Sequence, residues 1–488
     1  MIKEVLRDTL IYLPAKVIPA LVGVLAILIL TRLLSPEQYG QYLLATTTLS
    51  LISGFFVSWL VSVTIRFHIV YGVRSLYRLS RPLLLWIAVS ACAVWTAAVY
   101  VFAFPQDKQL LLFVGILWLV TNAGFEYFAG WLRARNFAKV FSLAVSWKSL
   151  AGLGISVALL LSGLRSGETV IFGGAAAMLG ALLFLPRLAL RAPHEQYVLQ
   201  SADGALPTIL QYGIPVALSN FVTVALSLAD RYFIGAQLGS EPVAVYGASY
   251  DLAEKTIFFA NSMLLLSSSV IGFRIYEQEG EAKAAHFLSQ LMRLYLLVAP
   301  PLVMCLAVLS PFLIAALLPT AYQEGWYILP IVAFAGLFVG ILHRYSLLLS
   351  FHRRTDTIMW CSVAALLVKL LSCFLLIPKM GLLGAAISTP IAYASWLIFV
   401  RLAALKYLGP SFPWTTFIRV CAALLLAAAS MHRLLDHIEA SGILILSVVF
   451  TAGLIVYVGA LYLFREITRS DVKATIDLLR KKIKRARS

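Results

Sequence analysis

Along the 488 residues, apolar runs of membrane-crossing length alternate with short polar breaks, and a run of about 20 such residues is long enough to cross a bilayer as a helix. The pattern predicts fourteen membrane helices, near residues 9–30, 42–64, 83–104, 110–131, 141–162, 168–186, 208–229, 243–272, 291–318, 327–342, 357–377, 382–400, 413–431 and 442–464. One break is a recognisable hairpin. Residues 27–48 read ILILTRLLSPEQYGQYLLATTT: an apolar run closes on Thr31-Arg32, Ser35-Pro36-Glu37 forms the break, and Tyr39-Gly40 opens the next run. The same punctuation returns in residues 227–250, SLADRYFIGAQLGSEPVAVYGASY, with Arg231, then Glu241-Pro242, then Tyr246-Gly247. Pro14 and Pro19 against Pro207 and Pro215, Arg66 against Arg274, and the small residues 173–176 against 384–386 keep the same order, which predicts an internal duplication.

Composition strengthens this picture. With 61% apolar and 12% charged residues and a mean hydropathy of +0.90, there are too few polar groups to cover water-soluble domains, so the expected fold class is an all-α polytopic membrane protein. The charged residues 1–8 lead into a full-length apolar run, so no removable signal peptide is expected. The five cysteines fall inside apolar runs at no metal or disulfide spacing, and no metal site, cofactor or redox role is expected.

Charge sets the orientation. Of 39 lysines and arginines, 28 lie in one alternate set of connections and in the termini, against 6 in the opposite set, which places both termini in the cytoplasm. That asymmetry accounts for the net charge of +17 without nucleic acid. Six helices precede the connector at 187–205 and six follow it, so the halves begin on the same side and are expected to be parallel repeats. The expected divisions are an N-lobe at 1–195, a C-lobe at 196–407, an extra helix pair at 408–465 and a basic tail at 466–488. The tail reads as a positive-inside stop attracted to anionic headgroups, with partner binding as the alternative.

The chain resembles the polysaccharide-transport branch of the multidrug, oligosaccharidyl-lipid and polysaccharide exporter superfamily. The resemblance rests on LTRLLSPEQYGQY (30–42), ADRYFIGAQLGSEPVAVYGASY (229–250) and KMGLLGAAIST (379–389), and on the two sets of six helices with a terminal pair. It implies a V-shaped pair of bundles around a central cavity that opens alternately to either side of a bacterial inner membrane. It also implies a flippase for polyprenyl-diphosphate-linked oligosaccharide, serving O-antigen, surface or exopolysaccharide assembly, with polymerase machinery as a candidate partner.

Candidate site residues follow from charge inside the spans: Lys16, Lys148, Lys255, Lys369 and Arg419. A cation at the bilayer centre costs roughly 2.5–3.5 kcal/mol even on a lenient scale, so such residues usually face a protein interior or a wet cavity. Arg419, Lys16 and Lys148 lie near a cytoplasmic end and can snorkel, whereas Lys255 and Lys369 are at mid-span. The functional reading is a cationic cavity in which Lys255, Lys369, Lys148 and Lys16 hold a diphosphate, with Lys148 and Lys369 on matching helices of the two halves. The bland readings are neutralisation of Lys255 by Asp251 on the same helix face, and pairing of Lys369 with backbone carbonyls or with Glu126. Pro14 and Pro19 flank Lys16 and favour a kink in the first helix. Arg32 and Arg231 are expected as outer interfacial anchors, or as gates pairing with Glu37 or Asp230, and Arg66 and Arg274 lie at the inner mouth. Glu126, Asp251 and Glu254 are the acids available for ion coupling.

Two rivals remain. A cation-coupled drug exporter would be expected to carry cavity carboxylates for cationic cargo, yet five buried cations stand against three acids here. A membrane-embedded polymerase, ligase or glycosyltransferase would need a large outer loop, and His432, Asp436 and His437 form the only such cluster, read as solvated polarity. No phosphate-binding Gly-Lys-Ser/Thr loop and no zinc spacing occurs. The expectation is a transporter, with no catalytic residues.

Overall fold

The computed structural model describes residues 14–101, 108–190, 204–437 and 442–466. Residues 1–13 with Lys3 and Arg7, most of the connector, and the basic tail beyond Glu466 lie outside them. Among the described residues there is no strand. The first half holds α1 (Pro14–Leu33), α2 (Pro36–Phe56), α3 (Ser58–Tyr71), α4 (Val73–Val101), α5 (Lys108–Ala134), α6 (Ala138–Leu161), α7 (Gly167–Leu182) and the short α8 (Leu185–Leu190). The second holds α9 (Leu206–Leu238), α10 (Ser240–Glu279), α11 (Glu281–Leu317), a 3-10 turn at Thr320–Tyr327, α12 (Ile328–Phe351), α13 (Thr355–Met380) and α14 (Leu382–Ala404). A terminal pair, α15 (Trp414–His437) and α16 (Ile443–Leu463), follows.

Each predicted run finds a helix. Twelve are long and apolar enough to cross a membrane. That count is of the described residues; of the remaining two helices, α7 is apolar but only 16 residues long, and α10 runs for 40 residues with Asp251, Glu254 and Lys255 in its first half. The helices overrun the apolar runs: α2 and α3 together reach Tyr71, α9 reaches Leu238 rather than 229, and α12 reaches Phe351 rather than 342. Backbone punctuation, not the last apolar residue, ends them. Gly239, Gly280 and Gly381 adopt positive φ (94°, 89° and 57°) between α9 and α10, α10 and α11, and α13 and α14. At the first hairpin, Ser35 caps α2: its hydroxyl accepts from the Gln38 N–H at 3.2 Å, and the Gln38 side chain accepts from the Ser35 N–H at 3.1 Å. Pro36 at the first helical position has no N–H to leave unpaired.

The two hairpin motifs meet each other. Gly40 of α2 lies so close to the first turn of α10 that a methyl group there would fall 1.8 Å from the Ser240 carbonyl oxygen. Reciprocally, a methyl on Gly247 would fall 2.4 Å from a methyl of Leu43 on α2. Small residues allow this approach in a bilayer, where dispersion contacts and not water exclusion hold helices together. Tyr39 and Tyr246, each preceding its glycine, are buried in the same apolar cluster.

The terminal pair is fastened by one carboxylate. Glu466, buried just past α16, accepts from Arg293 Nε of α11 at 2.8 Å, Arg419 Nη1 of α15 at 2.8 Å and Thr416 Oγ1 at 2.7 Å. Burial pushes its pKa up, but the hydrogen bonds from Thr416, Arg419 and Arg293 outweigh this and hold it below the usual carboxylate range.

Two outcomes follow from these contacts. Gly40→Ala is expected to cost about 1–3 kcal/mol, because backbone must move, whereas Gly247→Ala displaces only the Leu43 side chain and costs less; thermal unfolding in detergent would rank them, and equal melting would contradict the close packing. Because the folded pKa of Glu466 is depressed, its stabilisation is present above the unfolded value near 4.3 and is lost as pH falls through the folded value. Glu466→Gln should remove about 1–2 kcal/mol at neutral pH and flatten the acid limb of the stability profile; the half-exposed arginines keep the figure small.

Candidate functional site

Helix α2 has two chemically different faces. Ser50, Ser53, Gly54 and Val57 recur at helical spacing and line a polar cavity of about 440 Å³, continued by Ser58 and Ser62 of α3, by Trp118, Asn122, Glu126 and Arg133 of α5, and by Asn220 of α9. On the opposite face, Leu51, Ile52, Phe55 and Phe56 line an apolar cavity of about 650 Å³. Hydrogen bonds fix the polar wall: Asn122 Nδ2 donates to Ser53 Oγ at 2.8 Å, and Asn220 Nδ2 donates to Ser58 Oγ at 2.7 Å.

Lys148 of α6 joins this wall. Its ammonium donates to Glu126 Oε1 at 2.9 Å and to Asn122 Oδ1 at 3.2 Å, and it stands 4.8 Å from the Phe125 ring centroid. The pair is half open, with side-chain exposures of 29% for Lys148 and 40% for Glu126. Arg133, seven residues and so two turns along α5 from Glu126, is exposed on the same face and lies within electrostatic reach of Lys16. Glu126 is thus paired with Lys148, while Arg133 lines the same cavity and has Lys16 near it. Glu126 is the partner of Lys148 and not, as one bland reading had it, of Lys369.

Lys369 has a different fate. It is wholly buried and donates all three ammonium protons, to Asp230 Oδ2 at 2.9 Å, Ser388 Oγ at 3.0 Å and Thr389 Oγ1 at 2.7 Å. Asp230 also accepts from the Tyr246 hydroxyl at 2.5 Å and from the Arg231 N–H at 3.0 Å. So Lys369 does not line the polar cavity; it closes a network linking α9, α10, α13 and α14. The expectation that it faces the same space as Lys148 is corrected by this burial.

Arg231 is likewise corrected. It is 4% exposed and donates to Asp251 Oδ1 at 2.5 Å, so it is an interior ion pair between α9 and α10 and not an interfacial anchor. Asp251 is thus unavailable to neutralise Lys255. Lys255 is half-buried, lies over Gly23 of α1 with its Cε 2.5 Å from where a methyl would sit, and has no hydrogen-bond partner among the described residues. Glu254 beside it is half-buried and also without a hydrogen-bond partner there. Arg32 is exposed and donates to the Leu28 carbonyl at 2.6 Å. Arg66 is exposed and stacks on Tyr212 of α9, its guanidinium 4.5 Å from the ring centroid; Arg274 is half-exposed. Arg419 serves Glu466. His432, Asp436 and His437 are exposed on the last turns of α15, and no group able to hold a metal ion occurs among the described residues.

Asp230, Tyr246, Asn122, Asn220 and Arg133 are the residues that sequence reasoning left out of the site. One signal was present for Asp230: an acid next to an arginine inside a helix that continues for two more turns must find partners, whereas ending the helix at 229 put both at a surface.

These features define a multi-pass, helical membrane protein with a polar cavity between its helices. Over 94% of this chain and 99% of the other, the structure superposes on that of the lipid II flippase MurJ in an inward closed conformation, with a TM-score of 0.74 and 13% identity. An inward-facing multidrug resistance MATE family transporter of the MOP superfamily matches with a TM-score of 0.58 and 14% identity, over 81% of this chain and 93% of that one. A MOP superfamily transporter from Pyrococcus furiosus, described as having a binding pocket of reverse polarity, matches at 0.58 and 12%, over 82% and 95%. The model of the polysaccharide biosynthesis protein family matches residues 5–271, more than half of the chain, and the chain belongs to that family. No curated protein matches it.

The buried network makes a testable demand. Lys369→Met would leave Asp230 charged and unpaired in the interior, at a cost of about 3–5 kcal/mol, whereas pairing it with Asp230→Leu should recover much of the loss. Melting temperature and yield of detergent-purified variants measure this, and a double variant no better than the single one would contradict it.

Proposed function

We propose that the chain is a flippase that carries polyprenyl-diphosphate-linked oligosaccharide from the cytoplasmic to the outer leaflet of the bacterial inner membrane. One observation carries this reading: the polar cavity between α2, α3, α5 and α9, lined by Glu126 and Arg133, with Lys148 on Glu126 and Lys16 near Arg133. Three cations and one acid suit an anionic cargo, and Lys148 and Arg133 are the groups for its diphosphate. The serine face of α2 and α3, with Asn122 and Asn220, suits the hydroxyls of a sugar, which these groups meet both as donors and as acceptors. The polyprenyl tail stays in lipid. Movement is by rocking of lobes 1–195 and 196–407, both termini lying in the cytoplasm, where Arg66 and Arg274 flank the entrance. Lys255 on α10, without a hydrogen-bond partner among the described residues, is a second cation for the phosphate path, while Lys369 has a structural role. An inside-negative potential of 100 mV favours outward movement of each negative charge by about 2.3 kcal/mol, so a diphosphate contributes to its own direction of travel. Of the three acids, Asp251 is taken by buried Arg231, Glu126 is held by Lys148 in a partly exposed pair, and Glu254 has no hydrogen-bond partner among the described residues and is the one left for ion coupling. No bond-making step is needed, and membership of a polysaccharide biosynthesis family and the fold shared with a lipid flippase fit this role.

Reconstitution into liposomes with a fluorescent polyprenyl-diphosphate oligosaccharide tests it. The parent should move the label between leaflets, and Lys148→Gln and Arg133→Gln should each slow it by about tenfold or more, the equivalent of about 1.4 kcal/mol. Transport of cationic dyes with no movement of any lipid-linked glycan would overturn the proposal in favour of a drug exporter.

A further inference from the structure

Lys148 is not an open anion receptor. Its ammonium already holds a carboxylate oxygen of Glu126 at 2.9 Å, and Asn122 Oδ1 completes the contact at 3.2 Å. Asn122 and Glu126 are one helical turn apart on α5, so both face Lys148 from the same side. Both also line the polar cavity. Glu126 is 40% exposed there, and its second carboxylate oxygen has no hydrogen-bond partner among the described residues. The arrangement has the shape of an anion site filled by a tethered anion: a charged oxygen on the ammonium, an amide beside it, and a path into the cavity for the carboxylate to leave by. Arg133, without an acidic partner among the described residues and on the same face of α5, stands ready for a second anionic oxygen.

We infer that Glu126 is a place-holder for the cargo's phosphate, occupying Lys148 in the empty cavity and exchanging with a phosphate oxygen when the diphosphate enters. This rests on the reading of the cavity as a diphosphate site. The physical reason for such a device is desolvation: an ammonium in a partly dry cavity is costly to leave unpaired, so exchange of one anionic oxygen for another keeps it paired at every stage. The tethered carboxylate also competes for Lys148 when the cargo must leave, so it weakens binding and assists release. Asn122, held by its bond to Ser53, stays in place through the exchange and keeps the ammonium oriented. The buried pair Lys369–Asp230 cannot work in this way, because neither group reaches an opening.

Farnesyl diphosphate is a suitable probe, its binding measured calorimetrically on the full chain in lipid nanodiscs. Glu126→Gln and Glu126→Ala are expected to bind it about tenfold more tightly than the parent, while moving the lipid-linked glycan more slowly because release loses its competitor. Two variants are used because glutamine retains a carbonyl that can still accept from Lys148, and alanine does not. A residue that merely supports the fold would lower both binding and transport. Tighter binding, whatever the rate, sustains the exchange. If both Glu126 variants bind no more tightly than the parent while Lys148→Gln binds less, the place-holder is wrong and the cavity reading stands. If Lys148→Gln also binds as the parent does, the cavity reading falls with it.

Discussion

The ion pair between Asp230 and Lys369 constrains the second half of the chain more than any other contact. Both groups are wholly buried, and charges taken out of water at bilayer depth are tolerable only when paired and hydrogen-bonded throughout. Lys369 therefore spends its three protons on Asp230, Ser388 and Thr389, and Asp230 in turn holds Tyr246. α9 and α13 cannot move apart without exposing two charges, and α10 and α14 cannot leave without removing hydrogen bonds from them. The neighbouring Arg231–Asp251 pair extends this tie between α9 and α10, so a polar seam runs through apolar packing and gives it direction.

The same chemistry at lower burial has the opposite consequence. Lys148 and Glu126 are joined at the same 2.9 Å, yet both are partly exposed to a polar cavity, where a broken contact can be replaced by water or by another anion. Distance alone does not separate a sealed lysine from an open one. What separates them is whether a path exists for the partner to leave.

Helix α2 links architecture to chemistry. Its first turn carries the capping box and Gly40, which lets it lie against the backbone of α10; a few turns on, its serines face the polar cavity while its leucine, isoleucine and phenylalanines face away. Reciprocal packing of Gly40 and Gly247 means the two hairpin motifs, which the sequence presents only as an echo, are in contact in space. That contact lies well along α2 from the serines that face the cavity.

Much of this was legible beforehand. The fourteen runs, the break at Ser35 and the family follow from apolar length, local turn chemistry and motif order, all of which act between residues close in the chain. Helix ends were less legible, because α9 continues through Asp230 and Arg231 once partners on other helices neutralise them. The five intramembrane cations were visible as a set, but not their roles: Lys369 meets Asp230 across 139 positions, Lys148 meets Glu126 across 22, and Lys255 meets α1 with no acid at its ammonium among the described residues. Apolar run length and composition determined that this chain spans a membrane and in what order its helices come. Only the tertiary structure decided which lysine is sealed and which is open to exchange, because burial and pairing of a charge depend on helices that the local sequence does not specify.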